Sequence, residues 1–256
     1  VQEQIQFSNH LGEKLAATFH VPSEASPRGV ILGHCFTCSR HTRVLRDISQ
    51  GLVNNGFKVL RFDFSGNGQS EGNFSESYYS KQVTEMKAAV SFMSANEVSW
   101  IGLAGHSMGA MVALLAAAEI ANVKAVCTLA AKASPLDKSH FFSESQLQDL
   151  ELTGKLNFIS RGRTLKLTED FFRDAARYKI SEILISLHQP LLVVHGSQDE
   201  IISVEDAYKL HQLKPKDTEL AIIPNADHMF SRNEHRQQVA ELVVQWFKKI
   251  ALEDGF

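Results

Sequence analysis

Residues 98–120 run from a short β-rich stretch, Val98-Ser-Trp-Ile-Gly-Leu-Ala104, through Gly105-His106-Ser107-Met108-Gly109 into an apolar run dominated by Ala, Leu, Met and Val. The first stretch reads as a buried strand and the last as a helix. A serine on so sharp a strand-to-helix turn is held in a strained backbone conformation, so the residues two before and two after it must be small for the two elements to pass closely. Gly105 and Gly109 meet that demand. The turn lifts the Ser107 hydroxyl above the strand ends, and it lets the amide of Met108, first in the helix, point at a developing oxyanion. Glycine-flanked serines also occur in ordinary loops; the strand before and the helix after set this one apart.

The rest of the chain supplies a scaffold for such a turn. Residues 5–7 and 14–20 read as an antiparallel pair around a turn at 9–12. Short apolar strands then alternate with helices: strands at 30–32, 58–62, 123–129, 191–195 and 220–223, helices at 42–55, 78–96, 204–213 and 235–251. Such alternation demands a mostly parallel central sheet with helices on both faces, an α/β class in which active residues gather at the carboxyl ends of the strands.

One stretch, about 132–188, breaks the alternation. It holds a hairpin, Lys155-Leu-Asn-Phe-Ile-Ser160 and Arg163-Thr-Leu-Lys-Leu167 around Arg161-Gly162, and then helical material with Phe171 and Phe172. It reads as a small lid insertion over the strand ends. Phe158, Phe171 and Phe172 either line a substrate pocket or form only the insertion's own small core.

The 256 residues, 44% of them hydrophobic, carry no Pro/Gly/Ser-rich linker and no internal repeat, which favours a single domain over 1–256. The formal net charge is −3 with acids and bases interspersed, so nucleic acid is not an expected partner. No apolar run approaches the roughly 20 residues that span a bilayer, and no membrane association is expected. The first residues lack the basic-then-apolar order of a secretory signal. Cys35, Cys38 and Cys127, odd in number, do not suggest a disulfide framework, and a cytoplasmic, reducing setting is expected. The Cys35-x-x-Cys38 spacing has no second cysteine pair to complete a zinc site, and it precedes a polar loop rather than a helix start.

A serine hydroxyl needs a base within reach and a third group to orient that base. Among 11 histidines, His228 ends a strand, Leu220-Ala-Ile-Ile-Pro-Asn-Ala-Asp-His228, that runs into a polar loop. Leu191-Leu-Val-Val-His-Gly-Ser-Gln-Asp199 repeats that geometry one strand earlier and offers Asp199 as the orienting acid. Asp206 and Asp227 are weaker alternatives. His106 and His195 read as packing residues. The order Ser107, Asp199, His228 differs from that of two unrelated serine-protease folds. A second oxyanion donor is expected after the first parallel strand, in Gly33-His-Cys-Phe-Thr-Cys-Ser39, with the Phe36 amide in position. Asp63-Phe-Ser-Gly-Asn-Gly-Gln-Ser-Glu-Gly72 spaces its glycines too widely for a dinucleotide loop and reads as a turn supporting the site.

With these residues in view the chain resembles the α/β-hydrolases, from His34-Cys-Phe36 through 63–70 to Ser107, Asp199 and His228. Within them it is similar to hydrolases associated with OsmC-type domains, through 33–39 and Leu60-Arg-Phe-Asp-Phe64, and its hairpin to that of small-ester and cinnamoyl (feruloyl) esterases. Cys35 stands where most relatives have Gly. The resemblance implies a serine carboxylesterase acting on short-chain or aromatic acyl esters, with a small-molecule ester as partner and no metal or organic cofactor. A thioesterase or peptidase with the same residues, or a binding or redox-sensing module that kept only the fold, are the alternatives.

Overall fold

The computed structural model describes residues 1–133 and 138–256; residues 134–137, part of the expected insertion, lie outside the described residues. β1 (Gln2–Ser8) and β2 (Lys14–His20) pair antiparallel. The Asn9 side chain closes their turn by accepting from the amides of Leu11 and Glu13. Strand and helix then alternate through β3 (Arg28–Gly33), α1 (Arg43–Asn54), β4 (Lys58–Phe62), α2 (Tyr79–Ala95), β5 (Trp100–His106), α3 (Met108–Glu119) and β6 (Val123–Leu129). The irregular stretch contributes α4 (Lys138–Phe141), α5 (Glu144–Thr153), the hairpin of β7 (Lys155–Ser160) and β8 (Arg163–Thr168), α6 (Glu169–Ala175) and α7 (Ile180–Ser186). Alternation resumes with β9 (Leu191–Gly196), α8 (Val204–Leu213), β10 (Thr218–Ile223) and α9 (Asn233–Glu253).

Among the described residues eight strands form one sheet in the order β1-β2-β4-β3-β5-β6-β9-β10. It is parallel from β4 to β10, with β1 and β2 antiparallel at one edge. The period-two alternation of apolar side chains builds a core on each face. Ile31, Leu103, Leu191 and Val193 pack toward α2, α3 and α8, while Val30, Leu32, Leu192 and Val194 pack toward α1 and α9. α3 sits against the sheet and under its neighbours, which is why Met108 to Ala117 are all buried and the helix is apolar all round.

The strand order explains where a site can form. β3 lies between β4 and β5, so the winding direction reverses there, and the loops leaving β3 and β5 begin side by side with Gly33 registered against Gly105. β9 and β10 end together on the same sheet edge, with Gly196 against Ile223.

The insertion has its own small core of Leu150, Leu156, Leu167, Phe171 and Phe172, which also takes in Met108 of the main body. α5 carries a capping box between Ser143 and Gln146 and ends at Gly154 with φ 71°. Both signals stand in the sequence at Ser143-x-x-Gln146 and Gly154, yet that helix was not among those expected.

Candidate active site

Ser107 leaves β5 with φ 55° and ψ −116°, a conformation L-residues rarely adopt, and its amide is tied to the Leu129 carbonyl at 2.8 Å. The strain is tolerated because the flanks are bare. A Cβ on Gly109 would stand 2.5 Å from the carbonyl oxygens of Gly33 and His34, and one on Gly105 would collide with the backbone of Gly109. α3, the elbow and the loop after β3 are therefore in backbone contact.

His228 Nδ1 lies 2.8 Å from Asp199 Oδ2. Asp199 also accepts from the amides of Ile201 and Ile202 at 2.9 and 2.8 Å, and its Oδ2 is 3.2 Å from His195 Nε2. Burial alone would raise the Asp199 pKa, but hydrogen bonds from His195 and His228 and the Ile202 amide hold it well below the usual carboxylate range. An ionised Asp199 leaves the hydrogen of His228 on Nδ1, so Nε2 is the free base position. His195, expected only to pack, shares its Nε2–H between the Ile202 carbonyl at 3.0 Å and Asp199 Oδ2 at 3.2 Å; its place four residues before Asp199, at the same strand end, was the available signal.

His106 also does more than pack. Its Nε2 donates to the His228 carbonyl at 2.8 Å, and the Glu200 carboxylate accepts from the His228 amide at 3.2 Å, so the backbone of His228 is gripped from both sides. Burial, with the neighbouring His228 adding to it, lowers the His106 pKa to about 3, so it remains a neutral donor. Asp227 and Asp206 stand apart from the histidine ring: Asp227 caps the Ser231 amide and Asp206 faces Lys132.

After β3, the Phe64 amide donates to His34 Nε2 at 3.0 Å, which leaves the hydrogen on Nδ1 to bond the Cys35 carbonyl at 2.7 Å. In a trans peptide, fixing the Cys35 carbonyl fixes the Phe36 N–H in the opposite direction. Burial lowers the His34 pKa and keeps the ring neutral in this role. The turn at 63–72 supports the same loop: buried Asp63 pairs with Arg40 and accepts from the Arg40 and Gln69 amides.

The cysteines need a correction. Cys35 and Cys38 form a disulfide, with Cα atoms 5.2 Å apart, and Cys127 is free and buried. Parity of the cysteine count bears on frameworks linking distant segments. Here a single turn, closed by the Cys38 amide on the Cys35 carbonyl at 3.0 Å, brings positions i and i+3 within bonding range.

Ser107, Met108, Phe36 and His228 line one cavity of 320 Å³, and Phe158, Phe171, Phe172, Phe142 and Tyr79 form its apolar wall. Phe171 and Phe172 are buried in the insertion's core and also line this cavity, while Phe158 is half-buried and stacks on Phe36 at 5.9 Å. A larger hollow of 870 Å³ beside α6, α7 and α8 contains none of Ser107, Asp199 and His228. Among the described residues no group of His, Cys, Asp and Glu could hold a metal ion, and no helix is long and apolar enough to cross a membrane.

The esterase domain of a Rhodothermus marinus protein is similar over 97% of this chain and 98% of its own, with 26% identity and a TM-score of 0.76. Est1E from Butyrivibrio proteoclasticus, solved with ferulic acid bound, is similar over the same shares with 26% identity and a TM-score of 0.79. The mitochondrial palmitoyl-protein thioesterase ABHD10 of Rattus norvegicus is 24% identical over 68% of this chain and 59% of its own length. Residues 27–156, from β3 through the elbow to the start of the hairpin, match the family described as serine aminopeptidase, S33. The chain therefore belongs to the S33 serine aminopeptidase family of α/β-hydrolases.

Proposed function

We propose that this hydrolase is a serine carboxylesterase for short-chain or aromatic acyl esters, with Ser107, Asp199 and His228 as its triad. The observation that carries the reading is the 2.8 Å contact of His228 Nδ1 with Asp199 beside a strained serine on the same cavity. Ser107 Oγ bonds to the ester carbonyl carbon as its proton passes to His228 Nε2. The oxyanion is held by the amides of Phe36 and Met108, neither of which donates to a backbone carbonyl among the described residues. Collapse expels the alcohol, which takes the proton from His228. Water, deprotonated by the same imidazole, then releases the acid and restores Ser107.

The apolar wall of Phe158, Phe171 and Phe172 suits a flat or short acyl group, in keeping with the ferulic acid bound to Est1E. The insertion carrying that wall acts as the lid of a single domain. A thioesterase reading with the same residues is favoured by the relative named as a palmitoyl-protein thioesterase. Matched esters and thioesters, varied in acyl length and aromaticity, separate the two. Higher kcat/KM for oxygen esters supports the first; higher kcat/KM for thioesters replaces it with the second.

A further inference from the structure

Beside the cavity of Ser107 lies a second one of 610 Å³, and the two share Thr37, Cys38, Arg161 and Met229. The second is cationic. Arg43 at the start of α1, Arg161 and Arg163 at the hairpin tip, Arg236 in α9 and His41 line it, and among the described residues no carboxylate does. Arg236 is committed, to Asp47 at 2.8 Å. Arg43, Arg161 and Arg163 have no carboxylate partner among the described residues, although the chain as a whole is acidic, at −3. The hairpin tip is held over the β3 loop by Thr37 Oγ1 and Ser160 Oγ at 2.8 Å and by Arg161 Nη2 on Cys38 Sγ at 3.3 Å. Arg43, Arg161 and Arg163, exposed and without a carboxylate partner among the described residues, line one hollow, and their planar forks match the oxygens of an anion.

We propose that this hollow binds an anionic group, a carboxylate or a phosphate, on the leaving-group side of the substrate. The acyl chain then lies against the phenylalanine wall and the charged alcohol or thiol portion runs past Thr37 to the arginines. The inference rests on the esterase reading for the placement of the scissile bond.

Two matched pairs test it: glycerol monobutyrate against the same ester bearing a terminal phosphate, and ethyl butyrate against butyryl glycolate. The anionic member is expected to show about tenfold higher kcat/KM at low ionic strength. Added salt, or the Arg43→Gln/Arg163→Gln double substitution, should bring that ratio close to one. Preference within the phosphate pair alone assigns the hollow to phosphate, and within the glycolate pair alone to carboxylate. Equal rates within both pairs overturn the proposal. Titration of pyrophosphate and of succinate into Ser107→Ala, with and without the two arginine substitutions, reads the pocket without catalysis. Anion binding lost with the arginines while no ester is cleaved by the wild type overturns the esterase reading and keeps the anion pocket. Cleavage of neutral esters with no anion binding does the reverse.

Discussion

Asp199 receives hydrogen bonds from the His228 imidazole and two backbone amides, and it shares the Nε2–H of His195 with the Ile202 carbonyl. An amide in its place would turn an NH2 toward at least one of those donors and could not stabilise an imidazolium. Asp199→Asn is expected to fold and to lower kcat by up to about 10⁴-fold, while Asp206→Asn and Asp227→Asn, which lie off the histidine ring, change it far less. Steady-state rates for the three variants check this; if Asp227→Asn is the most damaging, the acid is misassigned. Ser107→Ala and His228→Ala should each remove most hydrolysis and the double variant should be little worse, because the residues act as a unit. Multiplicative losses would contradict that. Ser107, Asp199 and His228 were legible because each sits where a strand pattern breaks into a polar loop. The donation of His106 to the His228 carbonyl was not, since the two residues are far apart in sequence and only the folded register brings them together; for His195 the i, i+4 spacing to Asp199 was a local signal that went unused.

At the scale of elements, the loop after β3 couples its disulfide to the Phe36 amide, since the Cys35 carbonyl takes bonds from both the His34 ring and the Cys38 amide. A maleimide should leave Cys35 unlabelled until the disulfide is reduced, and should then suppress ester turnover as the adduct displaces the loop, with an oxyanion donor worth about 10²–10³ in rate. Mass-detected labelling at Cys35 with full activity would show that the sulfur points away from the oxyanion position. In the insertion, Phe158→Ala is expected to shift the ratio of aryl to alkyl ester rates. Phe171→Ala and Phe172→Ala, both buried, should also lose stability, by about 3–5 kcal/mol at most, which thermal melts beside the ester panel would separate. Uniform scaling of all substrates by Phe158→Ala would return that residue to a packing role. The hairpin was readable from Arg161-Gly162 between alternating strands. α7 was not named, although Ile180, Ile183, Leu184 and Leu187 follow helical spacing and pack on the core; at seven residues the helix is too short for the pattern to repeat.

Over the whole molecule, the alternation of buried strands with helices carried the fold, and the antiparallel β1 and β2 followed from their turn. The order of strands was hidden, because pairing is set by contacts far apart in the sequence, such as Gly33 with Gly105. Acid sensitivity is also a global property. Burial lowers the pKa of His106 to about 3 and of His20 to about 4, Arg61 adding to the second, so between these values and the ordinary 6.5 the unfolded chain binds more protons than the folded one. The histidine contribution is therefore full above about pH 6.5 and falls as pH drops, by up to about 1.4 kcal/mol per pH unit for each histidine, while buried Glu85, whose pKa burial raises, works in the opposite sense. Asp199, depressed below its ordinary value, adds to the loss only under about pH 4. Urea titrations from neutral pH to pH 4 read this slope, and His20→Gln should make it shallower; a slope unchanged by His20→Gln would mean that His20 is protonated in the fold. The most direct test of the serine mechanism is made on the intact protein with a fluorophosphonate, which phosphonylates a serine only where a base and an oxyanion site activate it. One adduct per chain, mapped to Ser107, absent in Ser107→Ala and accompanied by complete loss of ester turnover, is the expected result; full turnover with Ser107 unlabelled, or labelled without effect, would contradict it.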